Sequence, residues 1–479
     1  MTRGITKVIL LLLSAFFAFA LFPGETRAEE NDSLWRKCHY TSSDGNPREL
    51  SELWDMNSES GYVIEGPGDL TISWRDGVPA RTLYLAWRTL PEGFVLTQRS
   101  SDGALLDAAQ GETYRLNQLY RLNPETRSVT LSSAASMDLC SALIYGPDAM
   151  PKNYHPWKPT PGKLDYLLIV THPDDDILFM GAIVPLYGVS RGLNGTILYT
   201  ATRGIRHRCD EALNGAWVMG LRNHPIFAGF PNILPKEQYQ REKEFSVPVL
   251  TEYYVRMLRR YRPEVVVTHD RKGEYGHWQH INVSEAVCDA VLLAADASYD
   301  PVSLAQYGTF QVKKLYLHLY PERVLTLDVC APLPAFEGRT ILEIASAAFA
   351  EHISQVKVDH YRVCNDGFYR PSDYGLFFSA VGADTGKNDL FEHVDARILS
   401  NYVPPTPTLA PTPAPTPPEA ARLTAEARQA QAKRSGMDGN PIGRALLLAA
   451  LTLGVFAVAG ALLNQTLRKR ENRADQEQH

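Results

Sequence analysis

The chain has 479 residues, 44% of them hydrophobic, and 54 acidic against 48 basic side chains give a formal net charge of −6. That length exceeds one ordinary domain, so two or more folded units are expected, and the mild acidity without a basic stripe gives no reason to expect nucleic acid as a partner. Six cysteines, at 38, 140, 209, 288, 330 and 364, include no Cys-x-x-Cys pair, which argues against a cysteine-based zinc site. If the chain is exported, Cys38 with Cys140 and Cys330 with Cys364 are the candidate bridges.

Arg3 and Lys7 precede an apolar stretch at 8–22, then Pro23, Gly24 and a small-residue site near Ala28. This is the layout of a secretory signal over 1–28, an uncleaved anchor being the alternative. From 33 to 160, short alternating runs at 70–74, 82–87, 93–97 and 129–131 lie between turn residues and predict an antiparallel β-sandwich. Its layout is similar to jelly-roll modules of the galactose-binding type. Trp74, Trp87 and Trp157 are candidates for stacking on sugar rings, set against the commoner core role of strand tryptophans. Residues 153–161 read as the linker to the next unit.

The apolar run at 167–170, with Tyr166 before it, predicts a strand buried on both faces, as in a parallel sheet. It delivers His172, Pro173, Asp174, Asp175 and Asp176 into the turn at its C-terminal end, where open α/β sheets place their ligands. Carboxylates crowded there repel one another, and a metal ion would compensate. A helix bent by Pro185 is expected at 177–190, a strand at 195–202 ending at Arg203, a helix at 208–221 and a strand at 226–230. An amphipathic helix at 247–261 leads to a strand at 265–268 and then His269 and Asp270. Glu274, Tyr275, Gly276, His277, Trp278, Gln279 and His280 follow, with a helix at 280–294, a strand at 314–319 and a helix at 340–356. Such alternation over 163–400 implies βαβ units and a mostly parallel sheet. No Gly-x-Gly-x-x-Gly follows the first strand, so no dinucleotide site is expected. Two imidazoles with one carboxylate form a common catalytic zinc set.

Beyond the body, 403–418 is proline-rich and predicts an extended spacer, with a helical stalk at 420–434, so that 403–444 separates body from anchor. Residues 445–463 carry no charge and are long enough to span a bilayer. Arg468, Lys469, Arg470 and Arg473 follow in a tail at 464–479. Lys433, Arg434 and Arg444 on the other side leave only a slight positive-inside signal, so orientation rests on the N-terminal signal. The expected location is the cell membrane, single-pass, with the catalytic unit extracytoplasmic.

The strand ending in His172-Pro173-Asp174-Asp175 and the later Gly276-His277-Trp278-Gln279-His280 resemble the paired signature of the LmbE-like, or PIG-L, family of zinc-dependent N-acetylglucosamine deacetylases. The resemblance runs over roughly 163–381 and implies a Rossmann-like α/β fold. It implies metal binding by His172, Asp175 and His280, with Zn2+ as the ion and Fe2+ compatible with the same set. Asp174 would be the general base for the attacking water. His277 would stabilise the oxyanion or protonate the leaving amine, and Tyr275 would hydrogen-bond substrate or intermediate. Arg203, Arg208 and Glu211 match a region lining the sugar pocket, although Arg208 could equally pair with Glu211 one turn on. Glu274 is a candidate for orienting a ligand, while His207, His224 and His269 read as structural or surface residues. Two departures stand out. Asp176 replaces the usual glutamate, and Gln279, hydrogen-bonding but uncharged, is expected to alter how His277 titrates. The implied activity is removal of the N-acetyl group from an N-acetylglucosamine-containing glycan or glycolipid. The alternatives are an amidase on another amide of a sugar conjugate and a non-catalytic glycan-binding protein.

Overall fold

The computed structural model describes residues 32–394 apart from 45–48, 56, 148, 152–153 and 235–241. The expected signal at 1–28, the spacer and stalk at 403–444, the apolar stretch at 445–463 and the tail at 464–479 lie outside the described residues. No helix among the described residues is long and apolar enough to cross a membrane.

The first strands are β1 (Cys38–Ser42), β2 (Tyr62–Ile64), β3 (Gly68–Trp74), β4 (Thr82–Trp87), β5 (Val95–Arg99), β6 (Leu105–Gln110), β7 (Asn117–Arg121), β8 (Ser128–Ser133) and β9 (Met137–Tyr145). They form two antiparallel sheets, ordered β1-β3-β8-β5-β6 and β2-β9-β4-β7. The period of two sends Leu70 and Ile72 from one sheet, and Leu83, Leu85 and Trp87 from the other, into a single apolar core. Trp87 is wholly buried and Trp74 is 7% exposed, while Trp157 lies in the core of the following unit. None of the three presents a face on which a sugar could stack, so of the two readings the core role holds and the stacking candidates fall. The candidate disulfides are likewise not formed: all six thiols are free, with Cys38 donating to the Leu34 carbonyl and Cys140 to that of Ser58. The expected linker is docked, because Trp157 packs against Trp217 and His224 and Lys158 forms a bridge to Asn223.

The second unit contains β10 (Tyr166–Val170), β11 (Gly195–Arg203), β12 (Ile226–Pro231), β13 (Val265–Thr268), β14 (Lys314–His318), β15 (Val324–Thr326) and β16 (Asp373–Ser379). Their order is β12-β11-β10-β13-β14-β16-β15. The first five are parallel, and β16 and β15 close one edge antiparallel. From β10 the chain steps outward to β11 and β12, then crosses back to β13 on the other side. That reversal opens a crevice between the C-terminal ends of β10 and β13, the position at which such sheets bind ligands. The main helices are α1 (Arg206–Val218), α2 (Val247–Tyr261), α3 (Trp278–Leu293) and α4 (Ile341–Phe349).

Two expected helices are shorter or broken. The stretch at 177–190 divides into one turn at Asp175–Leu178 and a wide helix at Val184–Ser190, with Pro185 in its first turn, where the missing N–H costs nothing. The helix expected at 340–356 starts at a Thr340–Glu343 capping box but ends at Phe349. The Glu211 carboxylate accepts both the backbone N–H and the hydroxyl of Ser354, at 2.7 Å each, and draws the chain off the helix axis.

Candidate metal centre

His172, Asp174, Asp175 and Asp176 leave the end of β10 buried, and His269, Glu274 and His280 follow β13, buried as well. Hydrogen bonds fix which nitrogen of each ring carries a proton. The Gln279 side chain donates its Nε2–H to the Pro231 carbonyl at 3.1 Å, so its Oε1 faces His172 as an acceptor. His172 Nε2 donates to that oxygen at 3.3 Å, leaving a lone pair on Nδ1. His280 Nδ1 donates to Glu274 Oε2 at 2.7 Å, leaving its lone pair on Nε2. These two lone pairs face each other at 3.0 Å, and Asp175 Oδ2 lies 3.5 Å from the first and 3.4 Å from the second. Three acceptors with no donor among them repel one another, and a cation would relieve that repulsion. A circle through three points so spaced has a radius of roughly 1.9 Å, close to the 2.0–2.2 Å at which zinc takes nitrogen and oxygen ligands. The donor set therefore fits a single cation.

His277 and His269 are also near enough to compete as ligands, in the triples His172–His277–His280 and Asp175–His269–His280. The Thr171 amide donates to His269 Nε2 at 2.9 Å, which occupies that lone pair, and His269 Nδ1 donates to Glu274 at 3.1 Å. His269 is thus a buried scaffold residue of the centre, the structural rather than the surface role of the two expected for it. His277 stands at the rim, its ring 4.9 Å from that of His172 and 4.6 Å from that of His280, and its buried Nδ1 has no hydrogen-bond partner.

Burial pushes the Asp174 carboxyl up to about 6, against the pull of Arg208 and with a further push from Asp175. Burial would raise Asp175 too, but the surrounding imidazoles, His280 foremost, override it and hold that carboxyl well below the usual range, and the His172 backbone N–H donates to its Oδ2 at 2.6 Å. His277 is pushed down to about 3 by burial and by the neighbouring His172 and His280, so its ring is neutral. Glu274 gathers the scaffold: its two oxygens accept from His269, His280, His318 and the Asp270 amide. It adopts φ 55°, ψ −78°, a conformation disfavoured for a residue with a Cβ, and these bonds hold it there.

Arg208 reaches Asp174 with Nη2 2.7 Å from Oδ1, not Glu211, which is engaged with Ser354. Arg203 is 56% exposed at its side chain and pairs with Glu244 at 2.7 Å, away from the cluster. Tyr275 is 43% exposed over the centre, its ring 5.7 Å from those of His280 and Phe368, and its hydroxyl lies against that of Tyr361. Tyr361 and Phe368 carry no sequence signal that marks them out. Gln279 orients His172, not His277 as its neighbouring position suggested. Its place between two histidines was visible; its partners, His172 and the Pro231 carbonyl, were not.

A family model described as PIG-L, GlcNAc-PI de-N-acetylase, matches residues 167–291. The 1D-myo-inositol 2-acetamido-2-deoxy-alpha-D-glucopyranoside deacetylase of Geodermatophilus obscurus is 33% identical over 254 residues, covering 40% of this chain and 83% of that protein. The deacetylase 1 of the same name from Catenulispora acidiphila is 28% identical over 195 residues, and the match covers 34% of this chain. The chain spans 58% of that relative's length. Among solved structures, the N,N'-diacetylchitobiose deacetylase of Pyrococcus horikoshii aligns with 16% identity and a TM-score of 0.32, covering 41% of this chain and 72% of that one.

Proposed function

The chain belongs to the PIG-L, or LmbE-like, family, and on that premise we propose that it is a zinc-dependent hydrolase removing the N-acetyl group from N-acetylglucosamine-containing glycoconjugates. The observation that carries this reading is the ring of three proton-free acceptors, His172 Nδ1, Asp175 Oδ2 and His280 Nε2, with Asp174 beside it. These three residues would hold the ion, and a zinc ion there supplies Lewis acidity toward an amide carbonyl and toward water.

The protein's own groups account for the proton traffic. Asp174, with its carboxyl near 6, is largely ionised at neutral pH yet basic enough to take a proton from the attacking water. Arg208 fixes its orientation through the 2.7 Å contact. His277, held neutral, donates an N–H to the oxygen on which negative charge develops and does not bring a proton of its own to the amine. The proton taken by Asp174 is then the one returned to the leaving nitrogen. Hydrolysis consumes one water and yields acetate and the free amine. Tyr275, half-exposed above the rings, contributes its hydroxyl to the substrate.

The relatives named as deacetylases of an acetamido-glucopyranoside support the substrate class. The apolar stretches at 8–22 and 445–463 support an extracytoplasmic enzyme on a single membrane anchor. The test is acetate release from a panel of N-acetylglucosamine glycans and glycolipids by the zinc-loaded chain and by Asp174→Asn. Release that the variant abolishes is expected. Zinc bound at one per chain with no release from any substrate would redirect the reading to another amide.

A further inference from the structure

Helix α1 begins without a cap of its own, because Ile205 at the N-cap position has no side-chain acceptor. The β-sandwich supplies what is missing. Glu59, on the loop before β2, accepts the His207 backbone N–H at 2.8 Å and also engages the His207 ring, placing a carboxylate at the positive end of the helix. One residue earlier, the buried Arg206 is gripped by the same unit. Its Nε donates to the Trp87 carbonyl at 2.7 Å, and its Nη2 donates to Asn117 Oδ1 at 2.7 Å. Asn117 in turn donates to Asp210 Oδ1 at 2.7 Å, and that oxygen also pairs with Arg206 Nη1. Cys209, next on the helix, packs into the sandwich core. The residue between these anchors is Arg208, which reaches Asp174.

We propose that the β-sandwich is a positioning element of the hydrolytic centre: through Glu59, Trp87 and Asn117 it fixes the first turn of α1 and so holds Arg208 against Asp174. Helix first turns fray when their N–H groups lack acceptors, and a long arginine side chain samples many rotamers unless its backbone is fixed. The inference rests on Asp174 being the base. It goes beyond that role by making the N-terminal unit part of the apparatus. Glu59, Trp87 and Asn117 are positioning residues, since none touches the centre.

The test is a double-mutant cycle on the full-length, zinc-loaded chain, with N,N'-diacetylchitobiose as probe. Glu59 is exposed, so Glu59→Ala should fold. It is expected to lower kcat roughly two- to thirty-fold at unchanged KM and zinc content. Glu59→Gln keeps an oxygen for the His207 N–H and should recover most of the loss. In an Arg208→Gln background, Glu59→Ala should cost nothing further, because both act through one contact. Hydrogen exchange provides a readout independent of turnover: the amides at 206–210 should exchange faster in Glu59→Ala. Wild-type kcat in Glu59→Ala, or losses that multiply in the double variant, would overturn the inference while leaving the function intact. No acetate from the wild type on any substrate would instead strike the reading of the site itself.

Discussion

Gln279 and Glu274 decide which lone pairs of His172 and His280 face each other, and neither would need to touch a bound cation. Removing such a partner typically weakens metal binding by about 10–100-fold. Gln279→Leu, which lets the His172 ring turn and change tautomer, should lower zinc affinity by that order in competition with a chelator, and Glu274→Gln should do so through His280. An unchanged affinity in both would mean that packing alone orients the rings. The Asp174 carboxyl gives a second residue-scale prediction. A general base works only when ionised, so kcat/KM should fall as pH drops through about 6. Arg208 lowers that value, so Arg208→Gln should move the acid limb to higher pH; a limb that stays in place or moves down would contradict the pairing. The cluster of His172, Asp175 and His280 with Asp174 beside it was legible because each sits in a short motif at a strand end. The orienting contacts were not, since Gln279 finds Pro231 and His172 from far along the chain, and His269 takes its role from the Thr171 amide.

Gly195 shows what the sheet demands of its elements. A Cβ there would stand 2.0 Å from the Tyr166 ring on the neighbouring strand, so β11 can lie beside β10 only with no side chain at that position. Gly195→Ala should destabilise the fold by about 1–3 kcal/mol through overpacking, read as a shift of the denaturant midpoint at unchanged slope. The apolar runs of β10 and β13 made the parallel sheet readable, and the amphipathic period of α2 gave its limits at Val247 and Tyr261. The end of α4 was not readable, because Glu211, more than a hundred residues away, captures Ser354. The antiparallel edge of β15 and β16 also escaped the periodicity, since β15 has only three residues and its pairing comes from β16.

At the scale of the whole molecule, the sandwich and the parallel-sheet unit share packing through Cys209 and Phe227, a union no local pattern announces. His224 lies near this junction, and burial pushes its imidazole down to about 3. The unfolded chain protonates it near 6.5, so below that pH the unfolded state binds a proton that the native state refuses. The free-energy gap between wild type and His224→Gln should therefore narrow by about 1.4 kcal/mol per pH unit as pH falls from 6.5 toward 4. A gap independent of pH would show the histidine to be charged or exposed in the native state.

The central claim is that His172, Asp175 and His280 form a zinc centre at which Asp174 drives deacetylation. It is tested most directly by measuring zinc stoichiometry and acetate release together, in the wild type, in Asp174→Asn and in His280→Ala, with N-acetylglucosamine glycans as substrates. The account predicts one zinc and release in the wild type, one zinc without release in Asp174→Asn, and neither in His280→Ala. Release that persists in Asp174→Asn, or a wild type that binds no zinc, would contradict it.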